Sequence, residues 1–230
     1  MGTTVRLVIG NKTFSSWSLR PWMMMTVMGL DFDEVMIPLR QPDTKSRILA
    51  HSPAGTVPVL IDGDAVVWET LAILEYLADR HPTAGVWPAD VHARAHARAI
   101  SSEMHAGFTA LRSACAMNIT KRFKARDRGP EVAADVARIT AIFSDARERF
   151  GANTGQPFLF GAFCAADAMF APVVTRLNSY SIAVDPVSQA YVDAVLAHPA
   201  YQTWLHGAAT ETAVFESFDH ETVAEHLRPV

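Results

Sequence analysis

The spacing of apolar residues changes near residue 83 of this 230-residue chain. Before that point the apolar positions mostly alternate in short runs, which is typical of half-buried β-strands. Three such runs extend from Val5 to Ile9, from Val35 to Leu39 and from Val57 to Trp68. The third run is interrupted by Asp62-Gly63-Asp64, a turn sequence that predicts a hairpin of two strands.

Helical spacing separates these strands. The pattern predicts helices from Ser18 to Met28, from Thr44 to Ala50 and from Glu69 to Arg80. The element order is therefore β-α-β-α-β-β-α. A strand-helix-strand unit implies a right-handed parallel crossover, and the hairpin adds an antiparallel edge. Residues 1–82 are expected to form an α/β domain around a mixed four-stranded sheet.

Proline and glycine interrupt the chain at residues 83–89, and only helical periodicity follows. Apolar residues recur every three or four positions from Ile100 through Met104, Phe108 and Leu111 to Cys115, and again from Val132 to Phe150. Further helices are predicted at Ala165 to Tyr180, Pro186 to Ala197 and Ala200 to His206. We expect a linker at 83–89 and an all-α domain at 90–230.

Composition excludes several classes of protein. Half of the residues are apolar and 19% are charged, so the chain has enough apolar surface to fold without a disulfide scaffold. The formal net charge of −4 argues against a nucleic-acid-binding protein. Basic residues cluster only between Lys121 and Arg128, where we expect a solvated loop or helix end.

Other features argue against a secreted, membrane-bound or metal-dependent protein. Cys115 and Cys164 lie far apart without a zinc or redox spacing, and the N-terminus lacks a secretory pattern, so a cytoplasmic location is expected. The apolar stretch from residue 157 to 174 carries Asp167 and a proline, which favours a buried helix over a membrane span. His92 and His96 have a metal-compatible spacing without an evident third ligand, so a solvated pair is predicted.

Three motifs of the first domain combine groups that could bind one polar ligand. Phe14 to Pro21 leads the first strand into the first helix, where a serine hydroxyl either caps the helix or donates to a bound anion or thiolate. Ser52 to Leu60 contains Val57-Pro58; a cis bond there would expose the peptide groups of Val57 for strand-like pairing, and an ordinary trans turn is the alternative.

The third motif, Trp68 to Ile73, lies where the fourth strand turns into the third helix. Thr70 is a plausible N-cap, and its hydroxyl and amide could hold a ligand carboxylate. Glu69 could pair with an ammonium group. A plain capping role for this segment is the alternative.

These motifs, in this order and spacing, resemble those of the glutathione S-transferase family, which joins a thioredoxin-like domain to an all-helical one. Ser15-Ser16-Trp17-Ser18-x-Arg20 is similar to the zeta-class signature Ser-Ser-Cys-Ser-x-Arg, with Trp17 in the cysteine position. Gly161 to Asp167 resembles the capping box that starts a buried helix in the family, which implies a structural role for Asp167.

The resemblance implies glutathione as the cosubstrate and assigns residues to it. Ser15, with Ser16 as second choice, would contact the sulfur and act in catalysis. The remaining glutathione contacts implied are Trp17, Arg40, Gln41, Lys45, Val57, Pro58, Glu69 and Thr70. The electrophile pocket would be lined by Met104, His105, Phe108 and Arg112, for which core packing or a solvated face is the alternative.

The expected activity is that of an enzyme, a glutathione S-transferase that conjugates small hydrophobic electrophiles in detoxification. Two alternatives stay open: a glutathione-dependent cis-trans isomerase of the maleylacetoacetate isomerase type, and a non-catalytic binding module with the same fold. The resemblance also implies a homodimer. No metal, nucleic acid or membrane partner is expected.

Overall fold

The computed structural model describes residues 4–213 and 221–227. The first domain follows the predicted element order. Its elements are β1 (Arg6–Ile9), α1 (Ser16–Val27), β2 (Asp33–Met36), α2 (Thr44–Leu49), β3 (Val59–Asp62), β4 (Ala65–Trp68) and α3 (Thr70–Arg80). The boundaries agree with the sequence pattern to within two or three residues.

The sheet is mixed and four-stranded, as predicted, with strand order β2-β1-β3-β4. The β1–β2 pair is parallel, whereas β3 pairs antiparallel with both β1 and β4. Alternation along β1 sends Leu7 and Ile9 into the main core and Val8 into a smaller cluster on the opposite face. Ile48 of α2 belongs to that smaller cluster, so α2 covers one face of the sheet while α1 and α3 cover the other.

The second half is helical, and these helices pack around one central helix. They are α4 (Val91–Ala106), α5 (Thr109–Ala114), α6 (Pro130–Ala146), α7 (Ala165–Ser179), α8 (Pro186–Ala197) and α9 (Pro199–Ala209), with a π-turn at Arg147–Gly151 and a 3₁₀ turn at Ala152–Thr154. Nearly every residue of α7 is buried, and α7 packs against α1, α4 and α8. The main core is therefore continuous from the sheet domain into the helical domain.

The capping box at the start of α7 is confirmed. Asp167 accepts hydrogen bonds from the backbone N–H groups of Leu159 and Cys164, at 3.0 and 2.9 Å. Burial raises the pKa of Asp167 to about 6, against the opposing effect of these two donors. Among the described residues, no helix is long and apolar enough to cross a membrane.

One predicted helix is in fact two. The apolar spacing from Ile100 to Cys115 continues across a break, because α4 ends at Ala106 and α5 begins at Thr109. Phe108 adopts the left-handed conformation at φ 55° and initiates α5. Side chains of both helices enter the same core, so the periodicity does not reveal the change of direction.

A short antiparallel ribbon, which no pattern predicted, adds to the helical domain. It pairs β5 (Lys121–Phe123) with β6 (Val223–His226). The basic cluster therefore begins on a strand, which was not expected, and continues from Lys124 to Arg128 as the loop that was expected, with Lys124 and Arg126 exposed. Arg126 and Arg128 each donate two hydrogen bonds to Glu221, and these bonds, chiefly those from Arg128, lower the pKa of Glu221 to about 2.

Candidate functional site

The first motif forms the N-terminus of α1. Ser15 is the N-cap: its Oγ accepts from the N–H of Ser18 at 3.4 Å and donates to Ser18 Oγ at 2.7 Å. Ser18 Oγ in turn accepts from the N–H of Gly10 at 3.1 Å, which ties the cap to the end of β1. Ser15 is buried, whereas Ser16 is partly exposed and its hydroxyl makes no hydrogen bond within residues 4–213 and 221–227.

The loop before this cap is held by the helical domain. Glu211 accepts hydrogen bonds from the backbone N–H groups of Lys12, at 2.6 Å, and Thr13, at 3.1 Å. The indole N–H of Trp204 in α9 donates to the carbonyl oxygen of Lys12 at 2.9 Å. The N-terminus of α1 therefore has a fixed position relative to both domains.

The second motif places its proline directly before β3, an internal strand of the sheet. The Val57-Pro58 bond is cis, so the cis alternative is confirmed. Val57 precedes β3, and its peptide groups take no part in the turn and loop hydrogen bonds of the described residues. They are consequently available to pair with an extended ligand.

The third motif differs in one detail from its prediction. Glu69, at φ 69°, occupies the N-cap position of α3, and Thr70 is the first helical residue, so Thr70 as the N-cap is wrong. Thr70 Oγ1 donates instead to the carbonyl oxygen of Trp17 at 3.1 Å, which joins the third motif to the first. The first backbone N–H groups of α3 have no acceptor within the helix. They lie at the helix N-terminus, which carries a partial positive charge.

All three motifs meet at one cavity. Its volume is about 200 Å³, and its lining residues are Trp17, Thr56, Val57, Pro58, Glu69 and Thr70. A larger cavity of about 520 Å³ lies between the start of α6 and residues 181–185, and no predicted site residue lines it. We assign the site to the smaller cavity, because residues of all three sequence motifs line it. The larger cavity exceeds it in volume but has none of these residues.

Trp17 is surrounded by Arg20 from its own helix and by two residues of the helical domain, His105 and Arg112. The guanidinium carbon of Arg20 lies 4.2 Å from the centre of the indole and that of Arg112 lies 5.0 Å from it. The ring of His105 is also 5.0 Å away, centre to centre. Met104 and Phe108, by contrast, are buried in the core, which is the alternative that the sequence left open for them.

Arg20 is a buried cation without an acidic partner among the described residues. It donates to Ser16 O at 2.8 Å, to Met169 O at 3.0 Å and to Met104 Sδ at 2.9 Å. Burial lowers the pKa of Arg20, and the nearby Arg176 and Arg112 lower it further. The site is therefore bounded by positive charge, and Arg20 connects α1 to α4 and α7.

Five predicted contacts lie outside the cavity lining, namely Ser15, Ser16, Arg40, Gln41 and Lys45. Arg40 is exposed in a turn at φ 58°, and Lys45 is exposed on α2. A Cβ placed on Gly55 would lie 3.4 Å from Lys45 Cε, so Lys45 adjoins the loop that leads to Val57. The role of Arg40 and Lys45 in binding a glycyl carboxylate stays a prediction, as does that of Gln41.

The histidine pair of α4 has other contacts. His96 Nε2 lies 3.2 Å from Asp145 Oδ2, and burial is the main cause that lowers the pKa of His96. His92 is exposed at the start of the helix. A search of the described part of the chain finds no group of three or more side chains that could hold a metal ion.

Sequence reasoning did not find Glu211 or Arg176. Glu211 lies 199 residues from Lys12 and belongs to no motif. One feature of the sequence could have indicated a buried role for Arg176, because it is a cation within an apolar helical stretch. In the structure Arg176 is buried and donates hydrogen bonds to the carbonyl oxygens of Cys115 and Pro172. Burial lowers the pKa of Arg176 to about 10.

The sheet order, the cis proline before β3 and the helical second half define a class: a thioredoxin-like domain joined to a helical domain. Residues 14–80 match the family model described as the N-terminal domain of glutathione S-transferase. A glutathione transferase homolog from Burkholderia with bound glutathione superimposes with a TM-score of 0.68 at 23% identity, covering 91% of this chain and 100% of that one.

Curated relatives agree with this class. A probable maleylacetoacetate isomerase of Caenorhabditis elegans is 35% identical over 97 residues, which are 42% of this chain and 45% of that protein. Glutathione S-transferase Z2 of Arabidopsis thaliana is 38% identical over 82 residues, 35% of this chain and 37% of that protein. These two matches span less than half of each relative. The maleylacetoacetate isomerase of Pseudomonas aeruginosa is 24% identical over 200 residues, covering 82% of this chain and 90% of that protein. These comparisons support an assignment to the glutathione S-transferases: residues 14–80 match the N-terminal domain of that family, and the solved structure has the same fold.

Proposed function

We propose that this chain binds glutathione in the cavity between Trp17, Val57 and Thr70 and conjugates its thiolate to small hydrophobic electrophiles. One observation carries the proposal: three segments that are distant in the sequence line the same cavity. Each offers a different group that a γ-glutamyl peptide needs, namely a backbone peptide at Val57 that is unpaired among the described residues, the carboxylate of Glu69 and the N-terminus of α1. The match of residues 14–80 to the glutathione S-transferase N-terminal domain supports the same ligand, as does the similar fold of a homolog with bound glutathione.

Glutathione would lie extended along the edge of the first domain, beside the start of β3. Its cysteinyl backbone would pair with the free peptide groups of Val57. Its γ-glutamyl end would reach Glu69, which accepts from the ammonium group, and the N-terminus of α3 at Thr70, which favours the carboxylate. The sulfur would then face the N-terminus of α1.

The chemical task of the site is to stabilise the thiolate. A free thiol has a pKa of about 8.5, and lowering it by two units stabilises the thiolate by about 2.7 kcal/mol. A helix N-terminus and one hydroxyl donor are sufficient for this. Ser15 would donate by rotating its O–H away from Ser18 Oγ, whereas the hydroxyl of Ser16 is already free of described partners.

Serine variants test the mechanism. Ser15→Ala and Ser16→Ala are compared with Ser113→Ala, an exposed control on α5. We expect one of the two site variants to raise the pKa of bound glutathione, followed by thiolate absorbance, and to lower kcat/KM for an aryl halide by about tenfold or more at pH 6.5. An unchanged thiol pKa in both variants would refute a serine as the stabilising group.

Isomerisation is the second candidate function, and the alignment over 200 residues with a maleylacetoacetate isomerase favours it. The thiolate would add to a double bond and leave after rotation, so glutathione would be regenerated. Trp17 in the cysteine position of the zeta-class signature argues for conjugation instead. Measuring whether glutathione is consumed separates the two reactions, and glutathione binding without turnover would identify a binding module.

The biological setting is proposed from the family. We place the protein in the cytoplasm, acting in detoxification as a homodimer. Light scattering of the purified chain measures the mass directly, and a single-chain mass of 25.1 kDa at micromolar concentration would contradict the dimer.

A further inference from the structure

His105 borders the cavity that Trp17, Val57 and Thr70 line. Its ring contacts Trp17, and its Nε2 lies 3.8 Å from Glu69 Oε2. Both of these residues line the cavity, although His105 itself comes from the helical domain. The Nδ1 atom is buried and makes no hydrogen bond in the part of the chain that the structure describes.

The end of α4 holds His105 in this position. Arg112 donates to the carbonyl oxygens of His105 and Gly107, at 3.4 and 3.2 Å, and so satisfies two carbonyls at the helix end. The left-handed Phe108 then starts α5 at once. The side chain of His105 therefore projects from a helix end that is fixed on both sides.

The γ-glutamyl end of glutathione carries an ammonium and a carboxylate on one carbon, so the partners of these groups must be close neighbours. Glu69 can accept from the ammonium. The hydroxyl hydrogen of Thr70 is already donated to Trp17, so α3 has only backbone N–H groups left for the carboxylate. A side-chain donor next to Glu69 would add to these N–H groups, and an imidazole has at least one N–H whether neutral or protonated.

We infer that His105 donates a hydrogen bond to the α-carboxylate of the γ-glutamyl group and thereby selects glutathione from the helical domain. The inference rests on the proposed function, because it assumes that glutathione occupies the cavity. The pair of Glu69 and His105 would recognise the zwitterion, with one group for each charge.

Calorimetric titration tests this role with two ligands, glutathione and the analogue that lacks the α-carboxylate, 4-aminobutyryl-cysteinyl-glycine. His105→Ala should weaken the binding of glutathione roughly 10- to 100-fold, as expected for the loss of a hydrogen bond to a charged group. The same variant should change the affinity of the analogue by less than about twofold. His105→Gln keeps an N–H donor and should restore part of the glutathione affinity.

His92→Ala is the matched control, since His92 is exposed on the same helix. Equal losses for glutathione and the analogue in His105→Ala, or no loss for either, would overturn the role of His105 while leaving glutathione binding intact. No binding of glutathione by the unmodified chain would instead refute the proposed function, and the inference with it.

Discussion

The buried carboxyl of Asp167 is expected to make the stability of the fold depend on pH in an unusual direction. Burial raises its pKa from 3.8 to about 6, although the N–H groups of Leu159 and Cys164 oppose the shift. Between these two values the folded protein binds a proton that the unfolded chain does not. Stability must therefore fall as the pH rises through this range.

The magnitude follows from the shift. A difference of about two pKa units corresponds to about 3 kcal/mol over the whole range. Between pH 5 and pH 7 the folded carboxyl passes from mostly protonated to mostly ionised, and the loss in this interval is about 1.4 kcal/mol. The full contribution is present below pH 3.8 and is gone above about pH 6.

Asp167→Asn isolates this effect, because the amide has nearly the same size and does not titrate. Because the variant lacks one hydrogen-bond acceptor, its unfolding free energy should be lower by about 1–3 kcal/mol at every pH. In addition to this constant offset, the unfolding free energy of the unmodified protein should fall relative to that of the variant by about 1.4 kcal/mol from pH 5 to pH 7. Guanidinium unfolding at several pH values measures both, with the exposed Asp193→Asn as control. A constant difference, or a drift in the opposite direction, would refute the reasoning.

Three further predictions concern the ribbon, the α1 loop and the cavity. Glu221→Gln should lower the unfolding free energy by about 1–2 kcal/mol at pH 7, less than its pKa shift alone implies because solvent screens the ion pair. The ion pair with Arg128 contributes fully to stability above about pH 4.5. The Tm values of the unmodified protein and of Glu221→Gln should therefore converge as the pH falls towards 2. Glu211→Gln should lower Tm and raise the KM for glutathione, because it weakens two charge-assisted bonds to the loop before α1; an unchanged KM would show that this loop does not position the ligand. Glutathione should quench the fluorescence of the unmodified protein and of Trp87→Phe, and quenching that persists in Trp17→Phe would place the ligand elsewhere.

Local signals predicted the sheet domain well. The turn at Asp62-Gly63-Asp64 and the alternation on either side suffice to predict the β3–β4 hairpin. The capping box at Asp167 is equally local, since donor and acceptor lie within eight residues. The three site motifs were found for the same reason, because each is a short segment at the end of a strand or the start of a helix.

Features that depend on distant residues were missed. The ribbon pairs Lys121 with His226, and no periodicity relates segments so far apart. The break at Phe108 was hidden because two helices share one core. The approach of His105 to Glu69 is also non-local, because only the packing of α4 against the sheet domain brings the two side chains together.

A crystal structure of the chain with glutathione tests the central claim most directly. The proposal predicts an extended tripeptide whose cysteinyl backbone pairs with Val57, whose γ-glutamyl end lies between Glu69, Thr70 and His105, and whose sulfur lies within hydrogen-bond distance of Ser15 or Ser16. An empty cavity at saturating glutathione, or a tripeptide bound at the groove beside α6, would contradict it.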